Sequence, residues 1–71
     1  MTVDETRALA ALAAHSGSLF VTEAKTSNDY AVARATARTL AAAGLIEIRS
    51  GRTLSGHDIA VLTDAGRTVT G

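Results

Sequence analysis

Cysteine is absent from the chain, so neither a disulfide frame nor a thiolate zinc site can be built. Aromatic residues are scarce: Phe20 and Tyr30 are the whole complement. No apolar run approaches the roughly 20 residues of a membrane span. Asp4 and Glu5, close to the start, break the basic-then-apolar order of a signal peptide. A soluble, cytoplasmic protein without a membrane partner is expected. The formal net charge is zero, which removes the strongest source of non-specific attraction to nucleic acid, the displacement of counterions by basic residues. Material for catalysis is also missing. The carboxylates are scattered, the serines cluster in turns, and no glycine-rich phosphate loop follows a strand. His15 and His57 stand far apart without metal-ligand spacing, and His15 reads simply as a residue suited to the negative end of a helix. The expectation is a non-enzyme with no cofactor and no metal.

What is present is alanine, nearly half of the 46% apolar fraction. Alanine-lined helices approach closely, but each residue buries little area, so the core should supply about 3–5 kcal/mol. The 71 residues leave room for one domain, 1–71, which buries only about 60% of its unfolded surface. Heavy use of Ala, Gly, Thr and Arg suits a GC-rich genome. Charge is unevenly spread. Residues 25–71 carry Lys25, Arg34, Arg38, Arg49, Arg52 and Arg67 against Asp29, Glu47, Asp58 and Asp64, a weak basic excess of two.

Thr2-Val3-Asp4-Glu5 fits a capping box, and Ala8, Leu9, Leu12 and Ala13 continue it with a helical stripe. Ser16-Gly17-Ser18 ends that helix. Leu19-Phe20-Val21 reads as a short strand tying across a later hairpin. Thr22 can cap a short second helix from Glu23 to about Ser27. Ser27 or Asp29 can cap a third helix, for Tyr30 to Ala43 contains no Gly or Pro. On that helix Ala33, Thr36, Ala37 and Leu40 share one face, while Ala31, Arg34, Ala35 and Arg38 share the other. Gly44 stops it, and Leu45-Ile46-Glu47-Ile48-Arg49 alternates as a strand. Residues 50–57 form a polar tip, with Leu54 expected to fold back onto the sheet, a protein contact being the alternative. Ile59-Ala60-Val61-Leu62 returns, and Thr63 caps a closing helix that Gly66 keeps brief, with Val69-Thr70-Gly71 frayed.

Two segments carry more than local meaning: Leu40 with Gly44-Leu45-Ile46, and Leu62-Thr63-Asp64-Ala65-Gly66 at hairpin distance beyond it. Over residues 19–68 this order resembles the winged helix-turn-helix domain of MarR-like bacterial regulators. The resemblance implies an α+β fold of three helices, a β-hairpin wing and a short closing helix. It also implies a sequence-specific binder of double-stranded DNA, a bacterial or phage repressor or accessory factor. The chain departs from that family in its alanine-rich helix face and in lacking long flanking dimerisation helices, so a monomer or a weak homodimer formed mainly on DNA is expected.

Candidate DNA contacts follow from charge and position. Arg34 and Arg38, one turn apart, could read guanine edges or clamp phosphates, with Ala31 and Ala35 between them allowing close approach. Arg49, Arg52 and Thr53 lie on the wing, where backbone contact is expected. Lys25, Thr26, Ser27 and Asn28 sit where the turn of the motif meets the backbone, and capping is an equally good role for them. Tyr30 is expected to be half buried, with its hydroxyl near phosphate. The rival class is a winged-helix protein-interaction module, favoured by the zero net charge.

Overall fold

The computed structural model describes residues 1–50 and 58–70. Thr2 caps the first helix, α1 (Val3–Ala14), its hydroxyl oxygen accepting the Glu5 amide at 3.1 Å. Ala8, Leu9, Ala11 and Leu12 are its buried stripe. The helix closes through two left-handed residues, Ser16 and Gly17 (φ 63° and 85°), with the Gly17 amide donating back to the Leu12 carbonyl.

Strand β1 (Ser18–Thr22) alternates as expected, with Leu19 and Val21 inward and Ser18 and Phe20 outward. Here the chain departs from the reading of the sequence. Residues 23–26 form bends and Ser27 lies in irregular chain, not a helix. Five residues cannot repay helix nucleation by themselves, and competing bonds take their backbone. The Ala24 amide donates to the Thr22 hydroxyl, and the Ser27 amide to the Asp4 carboxylate at 2.9 Å.

The next helix also begins four residues late. Asn28 folds its side chain onto the amides of Tyr30 and Ala31 at 2.7 and 2.9 Å, a local turn that diverts the chain from helix. Ala31–Ala33 then forms strand β2, parallel to β1 with Val32 opposite Val21. Helix α2 (Arg34–Ala42) follows from the extended Ala33 without a side-chain cap, so neither Ser27 nor Asp29 serves as its cap. The expected inner face holds: Ala33, Ala37 and Leu40 are buried and Thr36 half buried. Tyr30 does not, being 72% exposed.

Gly44 sits at φ 78°. The Leu45 amide donates to the Leu40 carbonyl and the Gly44 amide to that of Ala41, both at 3.0 Å, the paired bonds of a glycine-terminated helix. Strands β3 (Ile46–Arg49) and β4 (Ile59–Leu62) pair antiparallel, Ile46 opposite Leu62 and Ile48 opposite Ala60. The sheet order is β2-β1-β4-β3. Helix α3 (Asp64–Thr70) closes the chain and carries Val69 and Thr70 within it, so those two residues are not frayed. Gly71 lies outside the described residues.

The two signature segments meet. The Thr63 amide donates to the Leu45 carbonyl at 3.0 Å, and the Thr63 hydroxyl donates to that of Gly44 at 2.6 Å while accepting the Gly66 amide at 3.1 Å. Gly66 lies so close that an added Cβ would stand 2.1 Å from the Leu45 oxygen. The helices cover one face of the sheet over a core of Leu9, Leu12, Leu19, Val21, Val32, Leu40, Ile46 and Leu62. The other face is open, crossed by the row Ala31, Phe20, Ile59, Arg49. The protein is thus a small α+β domain. Among the described residues no helix is long and apolar enough to cross a membrane.

Candidate nucleic-acid interface

One end of the sheet gathers most of the candidate residues. β1 and β2 run toward it and β3 leaves it for the hairpin, so the first part of the loop after β1, the start of α2 and the hairpin root converge there, while residues 28–30 return to the other end to begin β2. Arg34, the first residue of α2, joins all three. Its Nε donates to Glu23 in the loop, and its Nη1 to Asp58 Oδ2 at 2.9 Å, just before β4. The Arg34 side chain is 29% exposed and Glu23 76%. The Asp58 carboxylate first, and then that of Glu23, stabilise the charged guanidinium and raise its pKa. Arg34 is therefore engaged within the fold, not projecting freely outward.

Arg38, one turn further on, is exposed and has no partner among the described residues, with exposed Ala35 beside it. Ala31 belongs not to the helix but to β2, half buried in the sheet row. Arg49 Nη2 pairs with Glu47 across 3.0 Å on the outer edge. Lys25 and Thr26 are exposed in the loop. Asn28 commits its side-chain oxygen to the turn. The exposed Tyr30 ring packs against His15, centroids 5.6 Å apart. Arg52 and Thr53, with Leu54 and His57, lie outside the described residues.

Ser27 is buried, 3% exposed. Its hydroxyl donates to Asp4 Oδ2 at 2.8 Å and accepts the Ala33 amide at 2.9 Å. Its only proton is thus committed within a buried site, which removes it from a phosphate-binding role. Asp4 is the hub of this group, for the same carboxylate accepts the Thr36 hydroxyl at 2.6 Å. The bonds from Thr36 and then from Ser27 hold its pKa below the ordinary 3.8. Asp4 thereby ties α1, the loop and α2 together.

Sequence reasoning missed Asp4, Glu23 and Asp58. A signal existed for the last two. With β1 and β4 antiparallel and Phe20 opposite Ile59, the residues just after β1 must lie beside those just before β4. For Asp4 there was none, since an acid in a first helical turn already has a sufficient local explanation. Among the described residues no group of His, Cys, Asp or Glu could hold a metal ion. No family model matches the chain, and no curated protein or solved structure is significantly similar to it.

Proposed function

We propose that the chain is a small winged-helix DNA-binding domain acting as a transcriptional repressor or accessory factor. The observation that carries this reading is the exposed face of α2, bearing Ala35 and an Arg38 unpaired among the described residues, with the exposed Lys25 and Thr26 in the loop before it, while Arg49 lies at the hairpin root on the open face of the sheet. The succession of α2, hairpin and α3, with β1 paired on the hairpin's second strand, supports it further. The bends in place of a second helix, and strand β2 in place of the first turn of the third, are departures from the helix-turn-helix pattern. In this reading Arg38 addresses base edges in the major groove, and Lys25, Arg49 and Arg52 address phosphates.

A fluorescence-anisotropy titration against duplex DNA at low and moderate salt tests it. The salt slope should be shallow, corresponding to about four phosphate contacts. Arg38→Ala should cost about 1–3 kcal/mol on a cognate site and relax specificity there, whereas Arg52→Ala should weaken all sequences alike and lower the slope by about one. Absence of salt-dependent binding at ~50 mM salt, where the electrostatic term is strongest, sinks the DNA reading. A second reading, a protein-interaction module, then takes its place. It is favoured by the neutralisation of Arg34 and Arg49 in ion pairs and by Phe20 and Tyr30, 47% and 72% exposed on the open side of the sheet.

A further inference from the structure

Arg34 is held asymmetrically. Asp58 sits 31% exposed on Nη1, its backbone fixed where its carbonyl accepts the Val21 amide at 2.9 Å. Glu23 reaches Nε from a bend, with most of its side chain in water. Nη2 makes no bond among the described residues. The Nε–Nη2 edge is the side of a guanidinium that receives a two-oxygen anion in parallel bonds, and here only an exposed glutamate holds it. A carboxylate and a phosphodiester offer the same paired oxygens to such an edge, so one can take the place of the other.

We propose that the Nε–Nη2 edge of Arg34 is an exchangeable anion site, and that Glu23 is a built-in competitor for the phosphodiester backbone there. The inference rests on the DNA-binding reading and adds a mechanism to it. Asp58 keeps the guanidinium aimed at the hairpin root, while Glu23 leaves and a phosphate oxygen pair takes its place. Free protein thus presents a neutralised site, and only an anion able to outcompete the glutamate uncovers the charge. Arg34 becomes a backbone clamp, and base reading falls to Arg38.

The test is a double-mutant cycle on the full chain, read by anisotropy against a random duplex. Glu23→Gln removes the competitor's charge and should tighten binding about two- to fivefold at ~50 mM salt. The log–log salt slope should stay close to that of the wild type, because the Arg34–phosphate contact forms in both complexes and only the competitor differs. In an Arg34→Ala background the same substitution should gain nothing, because the edge it uncovers is gone. Asp64→Asn makes the same change of charge at the far end of the sheet and should leave affinity within about 1.5-fold, as screening over that distance requires. A gain that persists without Arg34, or one matched by Asp64→Asn, reduces Glu23 to general repulsion and overturns the proposal. Wild-type binding that Glu23→Gln leaves unchanged overturns it while the DNA reading stands. No binding by any variant overturns both. Thermal melts confirm that Glu23→Gln is folded.

Discussion

Gly66→Ala should be among the most damaging single-methyl additions this protein can receive. An alanine inside a helix ordinarily gains about 0.5–1 kcal/mol over glycine. At Gly66 the new Cβ would lie 2.1 Å from the Leu45 carbonyl oxygen and 2.8 Å from Leu62 Cδ2. Leu62 can turn aside, but the Leu45 oxygen is backbone and already accepts the Thr63 amide. Relief therefore requires α3 to lift from the turn after α2, and forced overpacking of this kind costs about 1–3 kcal/mol or more. Losing the Thr63 bonds that join the two segments adds about 1 kcal/mol. After subtracting the helical gain, a net loss of about 2–3 kcal/mol is expected. Set against the roughly 3–5 kcal/mol available to a core of this size, that is half the stability or more. Urea denaturation followed by far-ultraviolet circular dichroism should show the midpoint falling by about 2–3 M, for a slope near 1 kcal/mol/M. An unchanged or raised midpoint would refute the claim that α3 is seated by backbone contact at this residue.

Two further outcomes are expected. Gly44→Val should lower stability by over 1 kcal/mol in a thermal melt although no atom lies within 4 Å of the new Cβ, because the cost is set by φ 78° alone; an unchanged melting temperature would contradict that helix terminus. Asp4, whose folded pKa is depressed, stabilises the protein fully above its unfolded value of 3.8 and loses that contribution as pH falls through the lower folded value. The stability gap between wild type and Asp4→Asn should accordingly be widest near neutral pH and shrink below about pH 4, and urea midpoints differing equally at both extremes would rule out a charge-dependent hub.

The legible parts of the chain were those whose signals are local and unambiguous. The Thr2 cap, the glycine at 44 and the threonine at 63 each satisfy backbone groups within a few residues of themselves, so the sequence displays both partner and purpose. The alternation in 46–49 and 59–62 likewise marks strands directly. Residues 23–33 were not legible because what decides them lies elsewhere. Asp4, twenty-three positions before Ser27, captures the amide on which a second helix would depend. Val32 becomes a strand residue because Val21 is there to pair with it. Helix propensity over Tyr30 to Ala43 was real but lost its first four residues to the Asn28 turn. Among the candidate site residues, exposure at Lys25 and Arg38 followed from position alone. The engagement of Arg34 needed the β1–β4 register.

The arrangement around β2 has a consequence for how this sheet meets other chains. A short outer strand usually leaves a column of unanswered donors and acceptors that a foreign strand can join. Here the loop before it answers them. The Ala31 amide goes to Asn28, the Ala33 amide to Ser27, and the Ala31 carbonyl takes the Asn28 amide. Val32, facing the other way, belongs to β1. The border of the sheet is thus closed by side chains of its own preceding residues, and growth by strand addition is confined to the opposite border. There β3 is four residues long and carries the charged pair Glu47 and Arg49. A small, alanine-rich domain with little stability in reserve is in this way kept from polymerising through its sheet without a covering helix on either border.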